Sequence, residues 1–171
     1  MASGRHVVSA MDEQVANWVA ARVPHLRLGG TPYTAIGQID GLGNLVGGVV
    51  FENFTERDIH LHVAGSGKRW LTRRFLGECF RYVFQNLGCR RCTVAIAALN
   101  AASIRFCAGL KPGLDQGTPC LVDVGGGLGF RYEGVLRAML PDDEDLYIFG
   151  MLREECRWLS VGRKQSRRRA A

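Results

Sequence analysis

The chain has 171 residues, 47% apolar and 22% charged, with a formal net charge of +6. That length suits one domain around a single core. No apolar run approaches the roughly 20 residues of a membrane span, and the first residues lack the apolar core of a secretory leader. A cytoplasmic setting is therefore expected, with the six cysteines as free thiols rather than disulfides.

Five positive charges fall in the last nine residues. The expected body, residues 1–160, is then close to neutral, and residues 161–171 read as a basic, disordered tail. Weak nucleic-acid contact is the functional reading of that tail, and a solvated tail the plain one.

In chain order, Val15, Trp18, Val19 and Val23 share one face of a helix over residues 12–23, and Pro24 suits its end. Strands are expected at Tyr33–Asp40 and Leu45–Phe54, joined by Gly41-Leu42-Gly43-Asn44. A third, Asp58–Val63, puts Asp58, His60 and His62 on one face and Ile59, Leu61 and Val63 on the other. Between Leu71 and Leu87 the apolar period changes to that of a helix, and Gly88 suits its C-terminus. The nearly continuous apolar run Cys92–Ala98 reads as a strand buried on both faces, and strand–helix–strand implies parallel pairing. Asn100 is placed to cap a helix through Ala101–Leu110. Residues 111–128, rich in Gly and Pro, read as an inserted loop, followed by strands at Phe130–Leu140 and Leu146–Leu152. The sum is an α/β (α+β) chain with a mixed sheet covered by helices.

Several motifs fail on inspection. A phosphate-binding P-loop needs Gly at position 62 and Ser or Thr at 69, where this chain has His62 and Arg69. A dinucleotide fingerprint fails because Trp70 follows Gly65-Ser66-Gly67 where the third glycine belongs. Cys89, Cys92, His60 and His62 count to four zinc ligands. Small buried thiols and two strand histidines are nevertheless the favoured reading, and no metal is expected.

The runs Gly67-Lys68-Arg69-Trp70-Leu71-Thr72, Tyr82-Val83-Phe84, Leu87-Gly88 with Arg91, Asn100–Arg105 and Leu128–Gly134 together carry a pattern. In that order and spacing, over about residues 33–158, the chain resembles the GNAT superfamily of acetyltransferases. The ribosomal-protein and other N-terminal amine acetyltransferases are the branch it looks most like, and it is also similar to acetyltransferase-like proteins of tailed bacteriophages. The resemblance implies the GNAT fold: a mostly antiparallel sheet splayed at a central parallel strand pair, with helices on both faces.

It also implies acetyl transfer from acetyl-CoA to a primary amine of a protein or small molecule. The alternative is a non-catalytic scaffold of the same fold, with phage structural proteins as partners. On this resemblance the backbone around Gly65, Ser66, Gly67, Lys68 and Arg69 meets the pyrophosphate at a helix N-terminus. An N–H near Val63 polarises the thioester carbonyl, and Asn100 hydrogen-bonds the pantetheine arm. Ser103 stands as general acid for the leaving thiolate, and the tyrosine many relatives use at this step would sit at Cys107. His60, His62 and Glu52 are candidate general bases. The family loop reads Arg/Gln-x-x-Gly-x-Gly/Ala, whereas here Ala64 and Arg69 hold its first and last positions.

Overall fold

In the computed structural model, which describes residues 4–67 and 70–160, the first apolar stripe forms helix α1 (Asp12–Ala20). It is preceded by a short strand, β1 (His6–Val8), too brief to show any periodicity. The next strands are β2 (Tyr33–Ile39) and β3 (Leu45–Glu52), with β1 antiparallel on β2 and β2 on β3. Helix α1 lies close on this sheet because Gly37 and Gly48 face each other in register. A Cβ at Gly37 would come within 2.7 Å of Val15, and one at Gly48 within 2.9 Å of Val19. Val15, Ala16 and Val19 are thereby buried with Ala35, Val50 and Ala64.

β4 (His60–Gly65) runs antiparallel to β3 and leads into α2 (Arg73–Arg81). The helix expected to continue to Leu87 does so through a π-helical turn, Tyr82–Asn86, and Gly88 follows with φ 72°. β5 (Arg91–Ala97) then lies parallel to β4, and Asn100 caps α3 (Ala101–Ala108). Phe75, Phe80, Phe84 and Ile104 pack against Leu61, Val94, Ile96, Phe149 and Met151 on the face opposite α1. Full burial of such a side chain stabilises the fold by about 1.5–3 kcal/mol.

The segment expected as an inserted loop is instead a hairpin, β6 (Leu110–Asp115) and β7 (Thr118–Asp123), standing as a separate two-stranded sheet. Its turn, Gln116-Gly117, takes positive φ at both positions, which suits a two-residue hairpin connection. β8 (Arg131–Leu136) stops before the expected Leu140, and β9 (Leu146–Leu152) pairs with β5 and β8. The main sheet has the order β1-β2-β3-β4-β5-β9-β8, antiparallel except between β4 and β5. The expected architecture is present: a mixed sheet with one central parallel pair and helices on both faces. The basic tail lies outside the described residues.

Candidate functional site

β4 and β5 are held together only near their starts. Thr93 N–H donates to Ile59 O at 3.0 Å, and the register between the two strands is His60 opposite Thr93. Beyond that pair they separate. Since peptide groups alternate in direction along a strand, Val63 on β4 and Ala95 on β5 turn their N–H and C=O groups toward each other across the opening. Side chains from both faces of the sheet line the resulting cleft, which has a volume of about 610 Å³. That size lies within the range of ligand sites. No residue of the β6–β7 hairpin lines it, so the insertion leaves it open.

At the C-terminal end of β4, Ser66 N–H is committed to Val46 O at 2.8 Å, so it is not free to meet an anion. Gly67, at φ 72°, has open space where a side chain would be. Lys68 and Arg69 lie outside the described residues. The exit of the loop is fixed by Gln38, a fully buried residue of β2. Its Nε2 donates to Trp70 O, and its Oε1 accepts from the Thr72 hydroxyl at 3.1 Å. Thr72 Oγ1 in turn accepts from Phe75 N–H, capping α2. The Trp70 indole lies flat over Gly47 and Gly65, where any Cβ would collide with its ring.

Across the cleft, Asn100 Oδ1 accepts from Ser103 N–H at 3.1 Å and caps α3. Asn100, Ser103 and Cys107 all line the opening. Burial pushes the Cys107 thiol up to about 12, so it stays protonated at neutral pH.

On the α1 face, His62 Nε2 is 2.8 Å from Glu52 Oε1, and both side chains are largely buried. The His25 ring, on the segment after α1, stands 5.6 Å from that of His62. Its Nε2 is buried without a hydrogen-bond partner. Both imidazoles fall below their ordinary pKa. Burial is the main cause for each; at His62 the Glu52 carboxylate opposes it, and at His25 His62 and Arg27 add to it. Both rings line the cleft, and the lowered pKa of each favours its neutral form.

The structure therefore brings together His62, Val63, Gly65, Asn100 and Ser103 around one opening, with Glu52 behind it on His62. It does not bring in His60, whose side chain is 42% exposed, stands 3.9 Å from Asp58 and does not line the cleft. His25, Gln38 and Trp70 are site residues the sequence reading missed. The first two gave no local signal, because their positions depend on how distant segments meet.

A seven-stranded sheet that opens at its one parallel pair, with a helix N-terminus at the end of the opening, is the GNAT fold. No family model and no curated protein sequence matches the chain, but solved structures do. Mutant forms of the spermidine/spermine N-acetyltransferase SpeG from Vibrio cholerae superpose with a TM-score of 0.60 at 11% identity, covering 88% of this chain and 96% of that one. A dodecameric structure of spermidine N-acetyltransferase from Vibrio cholerae gives 0.60 at 10% identity, over 88% and 94% of the two chains. At these identities the likeness establishes the fold.

Proposed function

We propose that the chain transfers an acetyl group from acetyl-CoA to a primary amine of a small molecule or a protein. The observation that carries this reading is the opening between β4 and β5, where the peptide groups of Val63 and Ala95 are left facing a cleft. Buried peptide groups need hydrogen-bond partners, and the amide-bearing arm of coenzyme A would supply them. The solved structures of this fold are named for acetylation of spermidine and spermine, which supports an amine acceptor in general terms.

When bound, acetyl-CoA supplies a thioester carbonyl that an amine can attack. The chain's own groups would then divide the work. Val63 N–H, directed into the gap, stabilises charge on the carbonyl oxygen. Glu52 accepts from His62 Nε2–H and so fixes the tautomer with Nδ1 free to take the proton of the attacking amine. The Ser103 hydroxyl stands on the cleft wall to protonate the departing thiolate. Asn100, its Oδ1 occupied by the cap, has its side-chain NH2 for the pantetheine arm. The phosphates fall to Gly67 and to Lys68 and Arg69.

Incubation with acetyl-CoA and a panel of primary amines, followed by mass spectrometry, tests this. Acetylated amine with release of free CoA is the expected result. A protein that binds no acetyl-CoA at millimolar concentration is instead a scaffold of the same fold.

A further inference from the structure

The cleft passes through the sheet and has two chemically different mouths. One lies beside Gly65, Asn100 and Ser103, where the phosphates and pantetheine arm are assigned. The other, on the α1 face, is bounded by Arg22, Val23, Pro24, His25 and His62. Among the described residues, no Asp or Glu lines the cleft. The carboxylate behind this mouth, Glu52, is held by His62.

Two arginines gather here against the single carboxylate of Glu52, which His62 engages and which also acts on the His25 ring. The Arg22 guanidinium stacks 3.8 Å over Trp18, and its Nη1 donates to Trp18 O. Arg27 donates to the Pro24 and Leu26 carbonyls, which clamps the turn that presents His25, and its charge acts on the His25 ring. Neither arginine has an ion-pair partner among the described residues. His25 Nε2 adds a buried ring nitrogen that lacks a partner.

We infer that the acceptor is a primary amine carrying an anionic group close to it, with the anion held by Arg22 and His25 while the amine faces His62. The inference rests on the acetyl-transfer reading. Its physical basis is charge complementarity. A polycation would place a second ammonium against Arg22 and Arg27 with no carboxylate lining the cleft to receive it. A carboxylate neutralises Arg22 and gives His25 Nε2 its missing partner. The same positive field lowers the pKa of the attacking amine, which favours its nucleophilic form.

The test uses the full chain with acetyl-CoA and two matched acceptor series: the α-amides of aspartate, asparagine and lysine, and amidated tripeptides that begin with those residues. In whichever series is accepted, kcat/KM should fall from the aspartyl to the lysyl member by about tenfold at low salt, a few-fold each from attraction and repulsion. Arg22→Gln should flatten that order by raising the aspartyl KM while leaving the Kd for acetyl-CoA unchanged. The series that turns over shows whether the anionic amine is a small molecule or an acidic chain end. Preference for the lysyl members or for spermidine, an order unaffected by Arg22→Gln, or acetyl-CoA binding with no transfer to any aspartyl acceptor would each overturn the inference. Failure to bind acetyl-CoA at all would instead remove the parent reading. In that event calorimetry with the α-amides of aspartate and lysine alone still decides the anion site: aspartyl binding lost in Arg22→Gln supports it, and no aspartyl binding refutes it.

Discussion

The Thr93 hydroxyl donates to the Asp58 carboxylate across 2.7 Å at the closed end of the gap between β4 and β5. Arg91 joins the same carboxylate, with its Nε 3.5 Å from Asp58 Oδ2, and also pairs with Glu133. These contacts, with the bonds from Arg90, Arg91 and Thr93 N–H to Arg57 and Ile59 carbonyls, pin the two parallel strands where they begin. Beyond the pin the sheet gives way to cleft.

Thr93→Val keeps the shape of a buried side chain and removes that hydrogen bond, along with the one its Oγ1 accepts from Arg91 Nη2 at 3.2 Å. A bond to a charged group contributes about 1.5–3 kcal/mol. The Asp58 side chain is 22% exposed, so water recovers part of this, and a loss of about 1–2 kcal/mol is expected. Urea denaturation measures it, and acetyl-CoA should bind more weakly because the base of the gap loosens.

The Trp70 indole is accommodated only because Gly47 and Gly65 have no side chains. Gly65→Ala forces the ring to move and should cost about 1–3 kcal/mol, the usual penalty of overpacking. Since Trp70 also lines the cleft, the same variant should weaken acetyl-CoA binding. Tryptophan fluorescence and thermal melting read the two effects separately.

Asn100 has a structural role as a cap and a proposed role toward the cofactor. Asn100→Ala should lose both, with about 0.5–2 kcal/mol of stability removed along with the cap. Asn100→Asp keeps an oxygen for Ser103 N–H but has no NH2 to donate. It should retain stability while weakening acetyl-CoA binding. Equal affinity in the Asp variant and the parent would confine Asn100 to the cap.

The two buried imidazoles give a signed pH dependence. His25 and His62 have pKa values below the ordinary 6.5 in the folded chain. The unfolded chain therefore binds more protons than the native one as pH falls through that value. Their contribution to stability is full above about pH 6.5 and is lost progressively below it. Acetyl transfer should follow a similar acid limb, because protonated His62 cannot accept a proton. His62→Gln should remove that limb and slow turnover by about 100- to 10,000-fold. An unchanged acid limb in this variant would exclude His62 as the base.

Much of this architecture was legible in the chain. The change from strand to helical periodicity at Leu71, the buried run Cys92–Ala98 and the cap at Asn100 each reflect local rules, and each appears close to its expected bounds. The β6–β7 hairpin was not legible. Its strands are interrupted by Pro112, Gly113 and Pro119 and lie largely exposed, so no core face imposes an apolar alternation. Of the site, Glu52 and His62 were candidates from the sequence, but their pairing depends on the register of β3 against β4. His25 and Gln38 gain their roles only when the segment after α1 and the loop after β4 fold back onto the sheet.

Amide hydrogen exchange at Val63 and Ala95, followed by NMR with and without acetyl-CoA, tests the central claim most directly. Saturating acetyl-CoA should slow exchange at both positions, because its arm pairs with the strand edges that face the gap. Unchanged exchange at both, or protection confined to residues outside the opening, would contradict the assignment of this cleft to acetyl-CoA.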